Sequence, residues 1–178
     1  MFNLKKPNIE EADEILDFYR SVIISIEDTQ FKPKWSEKYP DFEYIKTSIG
    51  KGELYICKMD GGIISCVVLN DGFDPDYENV SWLCNAESDE ILVIHAFAVA
   101  SGSSGKGVGR EIFSQIKDDA IKNNQKTIRI DIIDGNEGAC KVFEKFGFEY
   151  VDTVEIVHDI VGLEKFHLFE YVLKNNHY

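Results

Sequence analysis

Hydrophobic and polar positions along the chain change period several times, and each change marks an element. A short apolar opening at Phe2 to Leu4 predicts a first strand. Asn8 with Glu11 three residues on has the form of a capping box, and Ile9, Ala12, Ile15, Leu16, Tyr19, Val22, Ile23 and Ile26 then recur at helical spacing. Pro33, Trp35, Tyr39 and Pro40 mark a loop, and Phe42, Ile45 and Ile49 give a second, shorter helix one apolar face. The segment "ELYICKMDGGIISCVVLN" predicts a hairpin turning at Asp60-Gly61, a preferred tight-turn pair. Residues 71–89 form a polar loop carrying Tyr77 and Trp82.

The run "EILVIHAFAV" is apolar at nearly every position, as expected of a central strand covered on both faces. It leads into a loop with four glycines in eight residues, Gly102 to Gly109, and then a helix whose buried stripe is Val108, Ile112, Phe113, Ile116 and Ala120. "TIRIDI" alternates as a strand. Ala139, Val142, Phe143 and Phe146 fall on one face of a short helix, and "FEYVDTVEIVH" and "KFHLFEYVLK" close the chain as two strands turning near Gly162. The order βααβββαβαββ predicts an α/β fold: a mixed, mostly antiparallel central sheet flanked by helices, with one parallel crossover around residues 91–132.

No repeat or linker divides the chain, so a single domain over residues 1–178 is expected. A chain of this length buries roughly 70% of its unfolded surface and needs neither disulfides nor metal to fold. The amino terminus lacks the apolar stretch of a signal peptide, which predicts a soluble cytoplasmic protein. Cys57, Cys66, Cys84 and Cys140 show no C-x-x-C spacing and are expected to be free buried thiols. A formal charge of −13 argues against nucleic acid or an anionic membrane as partner.

Candidate chemistry centres on the glycine loop. A phosphate-binding P-loop fails at both ends, because alignment on Gly105-Lys106 puts Ala100 at its first glycine and Gly107 at its hydroxyl. The dinucleotide fingerprint G-x-G-x-x-G fails at Arg110, and five residues separate Val99 from Gly105 where the turn should follow the strand directly. The pattern [RQ]-x-x-G-x-[GA] fits "SGKGVG", Ser104 to Gly109, with serine in first place. Glycines there let successive N–H groups at a helix start approach a diphosphate.

With this motif, "IHAFAVASGSSGKGVGREIF" resembles the GNAT family of N-acetyltransferases. A second segment, "NEGACKVFEKFGFEYV", is similar to that family's N-x-x-A-x-x-x-[YF]-E-K-x-G-F pattern through Asn136, Ala139, Phe143, Glu144, Lys145, Gly147 and Phe148. The resemblance spans essentially the whole chain and implies acetyl-coenzyme A as acyl donor. It places the diphosphate on the backbone of Ser104, Gly105, Lys106, Gly107, Val108, Gly109 and Arg110. It pairs the pantetheine arm with Phe97, Ala98 and Val99, and hydrogen-bonds that arm to Asn136.

Many members carry a tyrosine where this chain has Phe143, and some a glutamate where it has Val93. His95, two residues beyond Val93, and Asp131 are the candidate proton acceptors; a core histidine and a structural carboxylate are the competing readings. Trp35, Tyr39, Tyr77 and Trp82 are the candidate acceptor pocket, with aromatic anchoring of loops as the alternative. His158 and His167 face one another across the last hairpin in this reading, and no metal is expected. The resulting expectation is an N-acetyltransferase acting on a small-molecule amine by direct transfer. A coenzyme-binding sensor of the same fold is the alternative, and a homodimer stays open.

Overall fold

Asn8 and Glu11 close the predicted capping box, their side chains each accepting from the other's backbone N–H. A single 3₁₀ turn, Ile9–Glu11, then leads into helix α1, Ala12–Ile26. The computed structural model describes residues 2–103, 105–158 and 162–173. Helix α2, Phe42–Gly50, starts where the Asp41 carboxylate accepts the Tyr44 N–H at 2.8 Å. The hairpin of β1, Leu54–Met59, and β2, Gly62–Asn70, turns at Asp60 (φ 51°) and Gly61 (φ 84°). Two consecutive positive φ values are what a tight primed turn requires.

The remaining elements are β3, Ile91–Val99; α3, Val108–Lys122; β4, Thr127–Ile133; α4, Glu137–Phe146; β5, Glu149–His158; and β6, Gly162–Val172. The hydrogen-bonded strand order is β1-β2-β3-β4-β6-β5. The parallel pair is β3 with β4, in the register Ile91↔Thr127 to Val93↔Arg129. The mixed α/β sheet with four helices is therefore as expected. One detail differs. The opening strand shrinks to a single bridge, Lys5↔Ile56. The N–H groups of Phe2 and Leu4 are instead spent on the side chains of Glu111 and Gln115, at 3.0 Å each.

The chain forms two compact units. The first comprises Met1–Thr29, Trp35–Leu69 and Ile94–Gln115. Its core joins Ile15, Phe18, Tyr19 and Val22 of α1 to Ile45, Leu54, Ile56, Cys66, Val68, Ala96 and Ala98. Phe18 thus joins the helix stripe, whereas Ile9, in the capping turn, is 47% exposed. The second comprises Gln30–Lys34, Asn70–Val93 and Ile116–Tyr178. There Tyr77, Ile133, Ile156, Phe166 and Leu168 are buried together, with Phe73, Val80 and Trp82 packed on them. All five residues of the predicted α3 stripe are buried. All four cysteines are free, but only Cys57 and Cys66 are buried; Cys84 and Cys140 are half-buried. Among the described residues, no helix is long and apolar enough to cross a membrane.

Candidate active site

In the first unit, β3 runs into the glycine loop through a 3₁₀ turn, Ser101–Ser103, which accounts for the spacing that the dinucleotide fingerprint could not accommodate. The Ala100 N–H donates to the Ile64 carbonyl at 2.9 Å, and the Glu111 N–H to the Gly107 carbonyl at 3.0 Å, so the loop is fixed at both ends. Gly105 (φ 75°) and Gly107 (φ 82°) both lie in the left-handed region, and a Cβ on either would meet open space. Conformation, not crowding, is therefore what demands glycine at these two positions. Lys106 and Arg110 are exposed, Val108 is buried, and Gly109 is half-buried. Ser104 lies outside the described residues.

This arrangement suits a diphosphate. Two residues without side chains and two exposed cations precede and open a fifteen-residue helix, whose first N–H groups lack helical partners.

On β3, His95, Phe97 and Val99 are half-buried, while Ala96 and Ala98 are buried. Trp35 packs edge-on against Tyr19, with ring centroids 5.7 Å apart, and Tyr39 against Tyr44 at 4.9 Å. Both candidate acceptor residues of this unit are half-buried against its core.

In the second unit, Asn136 precedes α4 and is 7% exposed. Its side-chain oxygen accepts the Lys32 N–H at 2.9 Å, so one of its two polar atoms is committed to residues 30–34. The Gly138 N–H donates to the Gln30 carbonyl at 3.0 Å. A Cβ on Gly138 would sit 2.8 Å from the Phe31 ring, so that docking needs glycine. Phe143 is buried, edge-on to Phe148 at 5.2 Å, and Phe148 in turn meets Tyr171.

Asp131 is half-buried on the face opposite Ile128, Ile130 and Ile132, where the Tyr77 hydroxyl donates to it at 2.9 Å. Burial, reinforced by the Asp131 charge, pushes the Tyr77 hydroxyl far above the ordinary tyrosine value, so it stays a donor. Trp82 lies over Arg129, with the guanidinium carbon 4.1 Å from the ring centroid. Tyr77, Trp82, Arg129, Asp74 and Glu78 help to line a cavity of ≈ 530 Å³.

The two histidines of the last hairpin are not opposed. His158 pairs with Gly162, and His167 with Thr153. His167 bridges Thr153 Oγ1, at 2.8 Å, and Asp134, at 2.9 Å, and this partner lowers the Asp134 pKa. Among the described residues, no group of three or more His, Cys, Asp or Glu could hold a metal ion.

Sequence reasoning missed a buried polar group. Glu170, fully buried, accepts from Leu83 N (2.6 Å), Cys84 N (3.0 Å), Thr127 Oγ1 (2.9 Å) and Arg129 Nε (2.8 Å). It ties the middle of the long 71–89 loop to β4 and β6.

A left-handed glycine loop between a central strand and a long helix, followed by a strand and a helix opened by asparagine, defines a class of acyltransferase. The profile of the acetyltransferase (GNAT) family matches residues 20–148, and the chain belongs to that family. An uncharacterized N-acetyltransferase of Methanocaldococcus jannaschii is 20% identical over 158 residues. That match takes in 86% of this chain but only 63% of the relative's length. A GNAT-family acetyltransferase structure from Streptococcus agalactiae superposes with TM-score 0.79 at 17% identity, covering 97% of this chain and 96% of that one. A Salmonella typhimurium structure solved with its cofactor acetyl-CoA gives 0.68 at 13% identity, covering 98% and 95%.

Proposed function

We propose that residues 1–178 act as one acetyl-coenzyme A-dependent N-acetyltransferase domain, moving the acetyl group directly to a small-molecule amine. The observation that carries this reading is the pair of left-handed glycines, Gly105 and Gly107, open on their side-chain side at the start of α3. Acetyl-CoA is the cofactor of the Salmonella relative, and this loop has the chemistry to receive its diphosphate.

In this reading the N–H groups of residues 105–110 hold the diphosphate and Phe97 to Val99 pair with the pantetheine arm. Asn136 reaches the arm through its amide nitrogen, its oxygen being engaged by Lys32. The amine nitrogen forms a bond to the acyl carbon as the carbon–sulfur bond breaks, and the thiolate leaves with the electron pair. Phe143 has no proton to give it. A coenzyme thiol with a pKa of about 8.5, like that of cysteine, can depart unassisted near neutrality. An amine bound as its cation gives up one proton to water before attack, and the second, lost as the carbon–nitrogen bond forms, passes to His95 or Asp131; main-chain N–H groups of β3 stabilise the oxyanion. Trp35, Tyr39, Tyr77 and Trp82 are the proposed acceptor residues, and the carboxylates Asp74 and Glu78 beside Tyr77 favour a cationic amine.

One observation favours the sensor reading. The buried Phe143 supplies packing and no hydroxyl at the position where many relatives carry tyrosine. Calorimetry with acetyl-coenzyme A, followed by thiol release across a panel of amines, separates the two. Binding with amine-dependent thiol release supports the transferase, and binding that stays silent across the panel supports the sensor. Absence of binding refutes both.

A further inference from the structure

Four non-glycine residues among those described have positive φ: Lys34, Asp60, Ala96 and Asn124. Three of them lie in turns or loops. Ala96, at φ 48°, lies inside β3. A strand φ is near −120°, so the peptide groups on either side of the Ala96 N–Cα bond cannot both keep the ladder orientation. Alanine takes this conformation only where its surroundings impose it, and such residues concentrate at functional sites.

A side chain of α1, that of Tyr19, meets this residue. Its hydroxyl donates to the Ala96 carbonyl at 2.7 Å, and both residues are buried. The Tyr19 ring is itself held edge-on by Phe18 and Trp35, each with its centroid 5.7 Å away. Burial raises the hydroxyl well above the ordinary tyrosine value, so it remains a donor at any working pH. Two residues on, the buried Ser65 hydroxyl donates to the Ala98 carbonyl at 2.9 Å. Side chains thus hold two alternate carbonyls of β3, on either side of Phe97.

We propose that Tyr19 is a positioning residue for acyl transfer: by holding the Ala96 carbonyl, it keeps the backbone turned so that the N–H groups at Ala96 and Phe97 meet the acyl oxygen. This rests on the reading of β3 as the pantetheine-pairing strand. A tyrosine that merely satisfies its hydroxyl in the core would affect stability and leave the reacting end of the coenzyme alone.

Amide signals of ¹⁵N-labelled protein, titrated with acetyl-coenzyme A and separately with coenzyme A, test the proposal. The difference between the two ligands isolates the acetyl group. In the native chain, Gly105 and Gly107 should respond to both ligands, and Ala96 and Phe97 should respond differently to the acetylated one. Tyr19→Phe should keep the glycine responses and lose the acetyl-dependent difference. Its turnover on a responsive amine should fall roughly tenfold or more with acetyl-coenzyme A affinity little changed. Adding Ala96→Gly should restore both, because glycine adopts positive φ freely.

A folded Tyr19→Phe protein that keeps the acetyl-dependent difference overturns the proposal, as does a folded double variant with no recovery. Native protein whose glycines respond while Ala96 and Phe97 do not distinguish the ligands refutes this inference alone. Native protein with no response at Gly105 and Gly107 refutes the coenzyme reading and this inference with it.

Discussion

Replacing Glu170 with glutamine tests whether one buried carboxylate holds the long 71–89 loop in place. Glutamine keeps the shape and loses the charge. The carboxylate accepts four hydrogen bonds, two from loop N–H groups on one oxygen and two from Thr127 and Arg129 on the other. An amide has only one acceptor oxygen. If that oxygen faces Leu83 and Cys84, the NH₂ meets the Arg129 Nε–H, donor against donor. If the amide flips, the NH₂ meets the two backbone N–H groups. Either way Arg129, itself 7% exposed, keeps a buried charge without its counterion. Its stacking on Trp82 and its bond to the Cys84 carbonyl at 3.1 Å compensate only in part.

Breaking such a pair from one side costs about 3–5 kcal/mol. In a chain of this size, that lowers the melting temperature by about 6–20 °C, or the urea midpoint by about 1–2.5 M. Urea unfolding followed by circular dichroism and by tryptophan emission measures it, Trp82 reporting on the loop directly. Glu170→Met with Arg129→Met removes both charges and should unfold later than Glu170→Gln alone. A single-variant loss below about 1 kcal/mol would refute the stranded-charge argument. A double variant no better than the single would assign the cost to the loop N–H groups instead.

Three further outcomes follow from the same geometry. Gly107→Val should weaken acetyl-coenzyme A binding and, because φ is 82° there, also cost about 1–3 kcal/mol of stability; helix propensity alone predicts an intact fold. Unchanged affinity by calorimetry in a folded variant would remove the diphosphate from this loop. Stability should fall above pH 9, since burial pushes the Cys66 thiol from 9.0 up to about 12 and raises Tyr19 as well. Folded values above unfolded ones give stability that is complete below pH 9 and drains as pH rises toward 12, with about 1.4 kcal/mol lost at pH 10 from Cys66 alone. Urea midpoints at the two pH values should differ less in Cys66→Ala, and equal differences would refute this. His95→Gln should lower turnover about tenfold or more without altering coenzyme affinity and should flatten the log-rate slope below neutral pH. Retained turnover would leave Asp131 or water as the proton acceptor.

What the sequence made legible was local and periodic. The α3 stripe, the Asn8–Glu11 cap and the Asp60-Gly61 turn each announce themselves within a few residues, and each is present. What stayed hidden depends on partners distant in the chain. The Phe2 and Leu4 N–H groups find Glu111 and Gln115 more than a hundred residues away, so the opening strand dissolves into a bridge. Glu170 sits among apolar neighbours in "HLFEYVL", and nothing local reveals Arg129 or the loop N–H groups as its partners. Tyr77 and Trp82 sit in a polar stretch, yet both pack on apolar neighbours once the loop is tied down. Ala96 carries no glycine or asparagine to betray its positive φ, and Tyr19 looks like any residue of a helical stripe.

Net charge was the least informative feature for the ligand. A chain at −13 should repel a polyanionic coenzyme if its field acted as a whole. At physiological ionic strength, charges beyond about 8 Å are largely screened. What a diphosphate at α3 would meet is therefore local: exposed Lys106 and Arg110, and N–H groups bared by two left-handed glycines. The acidic excess can then act elsewhere, and Asp74 and Glu78 stand with Tyr77, Trp82 and Arg129 in the lining of one cavity. On the proposed reading, opposite local charges serve opposite ligands, and their sum over the chain describes neither.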